Sequence, residues 1–230
     1  MAKTALITGG TGGLGVAVTE RLLGAGWHVV VPWVHERELE RVTAHDHLEL
    51  MRADLFDPGA VSEIVTRAAA DSQAPLGAVV NLVGGFDAPG RVHEVPFERF
   101  EEQFRLNLRP TYLVTQAALS PMIAGDGGAI VCVGTRAALE PFAGAAGYIA
   151  SKAAVLAFVR ALAVEYRDQG VRANAVLPSV IDTPANRASM PDADHGRWVT
   201  PAAIAGVIAH LVSPDSAPTS GALIPVYGRA

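Results

Sequence analysis

Tyr148 and Lys152 stand four residues apart in the run Tyr148-Ile149-Ala150-Ser151-Lys152. On a helix that spacing puts both side chains on one face, so the Lys152 ammonium can sit beside the Tyr148 phenol. A free tyrosine has a pKa of about 10, too high for proton transfer at neutrality, whereas an adjacent positive charge lowers such a group by about 1 to 3 units. The pair therefore reads as a general acid/base. Upstream, Thr8-Gly9-Gly10-Thr11-Gly12-Gly13-Leu14-Gly15 joins a strand-like run to a helix-like one. Glycines at such a junction permit a tight turn and let a pyrophosphate approach backbone N–H groups at a helix N-terminus. Such a turn can also be purely structural, and the spacing of Gly9, Gly13 and Gly15 departs from the common G-x-G-x-x-G pattern. Together the loop and the pair point to hydride transfer with a bound dinucleotide.

These groups need a scaffold that brings residues some 140 positions apart to one place. Short β-branched runs alternate with longer Ala- and Leu-rich segments, as in βα units on a parallel sheet. The strands are expected at Thr4 to Thr8, His28 to Val31, His47 to Arg52, Ala78 to Leu82, Ala129 to Val133, Arg172 to Leu177 and Ala222 to Val226. Several are apolar without alternation, as strands covered on both faces should be. Helices are expected at about Leu14 to Leu23, Glu36 to Thr43, Pro58 to Ala70, Phe97 to Asn107, Arg109 to Ile123, Tyr148 to Tyr166 and Pro201 to Leu211. Asp57-Pro58 and Thr200-Pro201 each supply an N-cap residue with proline just inside the helix. Residues 183–200 show neither periodicity and read as a mobile loop over the ligand crevice or a plain surface excursion. The expectation is one α/β domain over residues 1–230, Rossmann-like and doubly wound, with a seven-stranded parallel sheet and a short substrate loop at about 183–200.

Composition bounds the partners. With 50% hydrophobic and 18% charged residues the chain can bury a large core. A net charge of -5 and a pI near 5.8, with no Lys/Arg cluster, argue against nucleic acid and anionic membranes. Residues 153–164 are apolar apart from Arg160, but too few to cross a bilayer. The single cysteine, Cys132, sits in an apolar run and reads as a buried strand residue. The first strand begins too near the amino terminus for a signal sequence, so a cytoplasmic location is expected. His93, His195 and His210 lack metal-ligand spacing or a paired nucleophile, so no metal is expected.

Thr8-Gly9-x-x-x-Gly13-Leu14-Gly15 with the downstream Tyr148-x-x-x-Lys152 resembles the short-chain dehydrogenase/reductase family over essentially the whole chain. The resemblance implies a cofactor site at Gly9, Thr11, Gly13, Leu14, Gly15 and Tyr148, with Lys152 also binding the nicotinamide ribose. It assigns Asn81 and Gly84, in Asn81-Leu82-Val83-Gly84-Gly85, to sheet support and the cofactor pocket, and Asp54 with Leu55 to the adenine end. A capping or turn role suits Asp54 nearly as well. Asn107, placed near the start of a long helix, matches the family's active-site asparagine, which helps hold a water in the proton path. Pro178, Ile181 and Thr183 match the element that holds the nicotinamide carboxamide, with Ser179 in place of its glycine. Thirteen positions before Tyr148, where the family has its substrate-orienting serine, stands Thr135; it keeps the hydroxyl and adds a crowding methyl group.

The last third, Leu177 to Asp194 with Trp198 beyond, is similar to the loop of quinonoid dihydropteridine reductases, as are Thr219 to Ile224 and Gly84-Gly85-Phe86. Phe86, Met190 and Trp198 could line a flat apolar pocket or simply pack. Trp33 ends the second strand where NAD-preferring relatives carry aspartate, so no carboxylate there repels a 2′-phosphate. NADPH or NADH is expected, with a slight lean to NADPH. The implied reaction is reduction of a small-molecule carbonyl or conjugated imine; the alternatives are a dedicated dihydropteridine reductase and a non-catalytic dinucleotide-binding regulator. The resemblance also implies a homodimer or homotetramer, consistent with the small residues Ala117, Ala118, Ala153, Ala154, Ala157 and Ala161.

Overall fold

The computed structural model describes residues 3–229. Its strands are β1 (Thr4–Thr8), β2 (His28–Trp33), β3 (Leu48–Arg52), β4 (Leu76–Asn81), β5 (Gly128–Val133), β6 (Val171–Pro178) and β7 (Leu223–Val226). They form one sheet in the order β3-β2-β1-β4-β5-β6-β7. Every pairing is parallel, which requires a crossover between successive strands. The crossovers carry helices α1 (Gly15–Leu23), α2 (Pro58–Ala68), α3 (Phe97–Asn107), α4 (Arg109–Ala124), α5 (Ala146–Glu165), α6 (Pro184–Ser189) and α7 (Pro201–Val212).

The unalternating apolar strands follow from helices on both faces. In β1, Ala5 and Ile7 join Val18 and Leu22 of α1 and Ile204 and Ile208 of α7 in one core layer. Leu6, between them, points the other way, into a layer with Ile64 of α2, Val114 and Met122 of α4 and Val155 and Val159 of α5. Each fully buried aliphatic side chain contributes about 1.5–3 kcal/mol relative to exposure. Cys132 lies in the second layer, fully buried, as its sequence context implies.

The two N-cap signals are used as read. Asp57 accepts from the Gly59 N–H at 2.9 Å and Thr200 from the Ala203 N–H at 3.2 Å, each with proline in the first turn. Four expectations need correction. The segment Glu36–Arg41 is a 3-10 helix, shorter and tighter than the α-helix expected. Residues 183–200 are not featureless: Thr183 accepts from the Asn186 N–H at 3.2 Å and starts α6, and a 3-10 turn follows at His195–Arg197. Asn107 ends α3 rather than opening a long helix, because the chain breaks at Leu108 before α4. α5 spans 20 residues and is long and apolar enough to cross a membrane by length and composition. Its apolar side chains Val155, Leu156, Val159 and Leu162 are packed in the core, which accounts for their character.

Candidate active site

All strands run the same way, so Thr8, Trp33, Asn81, Val133 and Pro178 end at one edge of the sheet. The strand order reverses between β1 and β4, and ligands of open parallel sheets bind at such a crevice. The glycine loop fills this position. Gly9 has φ of 67°, a left-handed conformation, and a Cβ on Gly15 would overlap the Gly9 carbonyl oxygen. The turn is thus as tight as glycine allows, and it delivers the chain, with Leu14 as N-cap, into α1. A pyrophosphate fits this cradle at the positive end of the α1 dipole.

Of the other expected cofactor residues, Thr183 reaches the loop itself. The methyl group of Thr183 lies over Gly13, where a Cβ would sit 3.0 Å from it. Ile181 pairs with Val199 in a parallel bridge, and Pro178 ends β6, so these residues border the same crevice. Trp33 is half-buried at the end of β2, opposite Arg52 of β3. Leu55 is buried in the core. Asp54 is exposed, and its carboxylate accepts from the Phe56 N–H at 2.9 Å, the turn role that competes with adenine contact. Asn81 is buried and donates to Thr115 Oγ1 at 3.1 Å and to Cys132 Sγ, while its own carbonyl oxygen has no partner.

The acid/base residues come together on the other side of the crevice. Thr135 follows β5 and caps a short 3-10 turn, its hydroxyl accepting from the Ala137 N–H at 3.3 Å. Tyr148 and Lys152 share a face of α5 near its start. Lys152 is only 6% exposed and donates to the Val133 carbonyl at 2.9 Å. A Cβ on Gly84 would lie 2.6 Å from Asn107 Oδ1 and 3.0 Å from Lys152 Nζ, so these three residues converge. Asn107 is fully buried; its Oδ1 accepts from the Gly85 N–H at 2.9 Å and its Nδ2 donates to Ser151 Oγ at 3.1 Å and Gln103 Oε1 at 3.4 Å.

Electrostatics correct one part of the sequence reading. Burial raises the Tyr148 phenol above its ordinary value, and the neighbouring Thr135 hydroxyl, which pulls it down, offsets this only in part. Burial also brings Lys152 down to about 8. The expected acidification of Tyr148 by Lys152 is absent here because desolvation dominates both groups and the ammonium is turned to the Val133 carbonyl. Tyr148 is therefore a protonated phenol at neutral pH, in the form that donates.

Several contacts escaped sequence reasoning. Thr11 donates to Glu38 Oε2 at 2.7 Å, binding the glycine loop to the turn after β2. Gln103 and Ser151 bracket Asn107; Gln103 lies one helical turn before it, a spacing the sequence offered as a hint, whereas Ser151 arrives from another helix 44 positions on. Phe86 meets Tyr148 as an aromatic pair and Phe142 leans on Phe86. Trp198 packs on His195, whose ring also contacts the Met190 carbonyl at 2.9 Å, so this histidine has a packing role. Among the described residues no group of three or more His, Cys, Asp or Glu side chains is placed to hold a metal.

Comparison with known proteins agrees with this geometry. The family model described as short chain dehydrogenase matches residues 3–194. The chain is 30% identical to 2-(R)-hydroxypropyl-CoM dehydrogenase of Xanthobacter autotrophicus, covering 99% of this chain and 98% of that one. It is 32% identical to the 3-oxoacyl-(acyl-carrier-protein) reductase MabA of Mycobacterium tuberculosis, covering 99% and 92%. Among solved structures, a blue fluorescent protein from a metagenomic library in complex with NADPH superposes with a TM-score of 0.86 at 31% identity, covering 98% of this chain and 96% of that one. Fold, glycine loop and the Thr135–Tyr148–Lys152 constellation thus meet in one conclusion: the chain belongs to the short-chain dehydrogenase family of NAD(P)-dependent oxidoreductases.

Proposed function

We propose that the protein reduces a small carbonyl compound, with Tyr148 supplying the proton and Thr135 orienting the carbonyl oxygen. The observation that carries this reading is the Thr135 hydroxyl beside the Tyr148 phenol, which is protonated at neutral pH by its ordinary value and more firmly so when buried. When bound, NADPH or NADH would supply the hydride and leave as its oxidised form; Tyr148 would give its proton to the carbonyl oxygen, so that C=O becomes CH–OH, and a solvent proton would restore the phenol. Gly9, Thr11, Gly13, Leu14, Gly15, Asn81, Gly84, Pro178, Ile181 and Thr183 would hold the dinucleotide, with Trp33, Asp54 and Leu55 at its adenosine end. Lys152 would take the nicotinamide ribose, and Asn107 would anchor the path by which Tyr148 regains its proton.

The lean to NADPH rests on Trp33, which puts no carboxylate at the end of β2 itself, and on His35, Arg37 and Arg52, which line the surface just beyond it together with one carboxylate, Glu36. The NADPH complex of the 31% identical structure supports the same choice. The relatives named above carry the family and not the narrower pterin likeness, so quinonoid dihydropterin enters only as one substrate to be assayed. A homodimer or homotetramer is part of the same reading, through the outer faces of α4 and α5, where Tyr112 and Val164 are exposed. A single-chain mass by light scattering at micromolar protein would remove it.

The test is loss of reduced-nicotinamide absorbance with NADPH and with NADH against ketones, aldehydes, quinones and quinonoid dihydropterin. Carbonyl reduction, faster with NADPH, is expected. Tight cofactor binding with no turnover across the panel would replace the reductase with a dinucleotide-binding regulator.

A further inference from the structure

Two aromatic side chains beside the acid/base are left largely in water: Phe86 is 64% exposed and Phe142 50%. They are not scattered. Phe86 meets the Tyr148 ring edge-on, with centroids 5.0 Å apart at 83°. Phe142 leans on Phe86 at 6.3 Å and 42°. The three rings come from the loop after β4, the loop after β5 and the start of α5, so the fold assembles them only here. Apolar surface held open in a cluster at a reacting group marks ligand contact, since water gains nothing from it.

Alongside, a cavity of about 370 Å³ has Tyr148 in its wall together with Pro89, Val92, Val95 and Phe100. Phe86 and Phe142 stand outside its lining, and Tyr148 is the residue it shares with the aromatic cluster. Among the described residues the charged groups lining it are Asp87 and Arg99, and these pair with each other at 2.6 Å. The two charges offset each other, and the rest of the lining is mostly apolar. An aliphatic ligand would bury the same area against leucines; ring edges and faces add a quadrupole match that only a flat π-system can use.

Resting on the reductase reading above, we propose that the substrate carries an aromatic ring next to its carbonyl, as in an aryl ketone or aryl aldehyde. The ring lies against Phe86 and Phe142, and the carbonyl oxygen points to Tyr148 and Thr135. Phe86 and Phe142 are then the residues that set substrate class, and the reduction is the one already described.

The test compares acetophenone with cyclohexyl methyl ketone, which keeps the carbon skeleton and loses the flat ring. Binding is measured by NMR titration of the protein without cofactor, and turnover by kcat/KM with NADPH. Acetophenone is expected to bind about three- to tenfold more tightly, the range of an aromatic pair. In Phe86→Leu and Phe142→Leu the preference shrinks toward parity. Equal or weaker binding of acetophenone to the wild-type protein, or no binding of either ketone, overturns the inference whether or not the variants fold. Reduction of both ketones without preference likewise overturns it and leaves the reductase reading standing. A binding preference for acetophenone without any turnover does the reverse.

Discussion

The Lys152 ammonium donates to the Val133 carbonyl across 2.9 Å, tying the first turns of α5 to the end of β5 two residues before Thr135. The contact fixes the distance between the strand that carries Thr135 and the helix that carries Tyr148. It also explains why Lys152 does not acidify the phenol in this state: the cation is spent on a backbone dipole, and burial governs both pKa values. A ligand that engaged Lys152 would have to share that ammonium with the Val133 carbonyl.

Tyr148→Phe keeps the ring and its edge-on contact with Phe86 while deleting the proposed proton. Turnover should fall about 10²- to 10⁴-fold, the usual contribution of a positioned acid. Cofactor affinity, followed by quenching of protein fluorescence, should change little. Turnover near the wild-type level would remove Tyr148 from the chemistry.

The raised pKa of Tyr148 sets a direction for the pH profile. If reduction uses the protonated phenol, kcat at saturating cofactor should hold through neutral pH and decline only once the phenol ionises, while loss of the Lys152 proton near 8 should show as a rise in the cofactor KM. Oxidation of the product alcohol needs the phenolate and should rise over the same alkaline interval. Initial rates in both directions check this; a reduction rate already falling through neutrality would show a phenol acidified when the cofactor is bound.

Lys152 titrates at about 8 in the fold against an ordinary value of 10.5. Between those values the unfolded chain binds more protons, so this residue makes stability rise with pH, by about 1.4 kcal/mol per unit at most. Below pH 8 both states hold the proton and the cost of the buried cation is present in full. Cys132, pushed up to about 11 by burial, acts oppositely above its ordinary 9.0, so the cleanest interval is pH 8 to 9. Lys152→Met, compared with wild type by urea unfolding, should lose this rise and gain most below pH 8. A difference that does not change with pH would mean the lysine titrates normally.

How much of this was legible in the sequence depends on the range of the interaction. β1 and α3 have the bounds expected because their apolar patterns are set by local neighbours. The Thr183-Pro184 start of α6 carries the signal read at Asp57-Pro58, yet a six-residue helix is too short to show a period. That Tyr148 and Lys152 share a face follows from helical spacing alone. Where the ammonium points does not, since Val133 arrives from another strand. Thr11 and Glu38, 27 residues apart, meet only because β2 lies beside β1, and Phe142 reaches Phe86 only after β4 and β5 have paired.

Gly84→Ala tests the convergence at the centre of the site. Its Cβ would stand 2.6 Å from Asn107 Oδ1 and 3.0 Å from Lys152 Nζ. Asn107 cannot swing away cheaply: it is fully buried, and its amide serves the Gly85 N–H, Ser151 and Gln103 together. Displacing it leaves buried polar groups unpaired, at about 1–3 kcal/mol each, which for a domain of this size lowers Tm by several degrees. Activity should fall more than tenfold. The double variant Gly84→Ala/Asn107→Ala relieves the overlap, so part of the lost Tm should return while activity stays low, because the asparagine is then missing outright. Calorimetry and initial rates separate the two effects. An alanine accepted at Gly84 with full activity and unchanged Tm would mean that Asn107 and Lys152 do not crowd this backbone in solution.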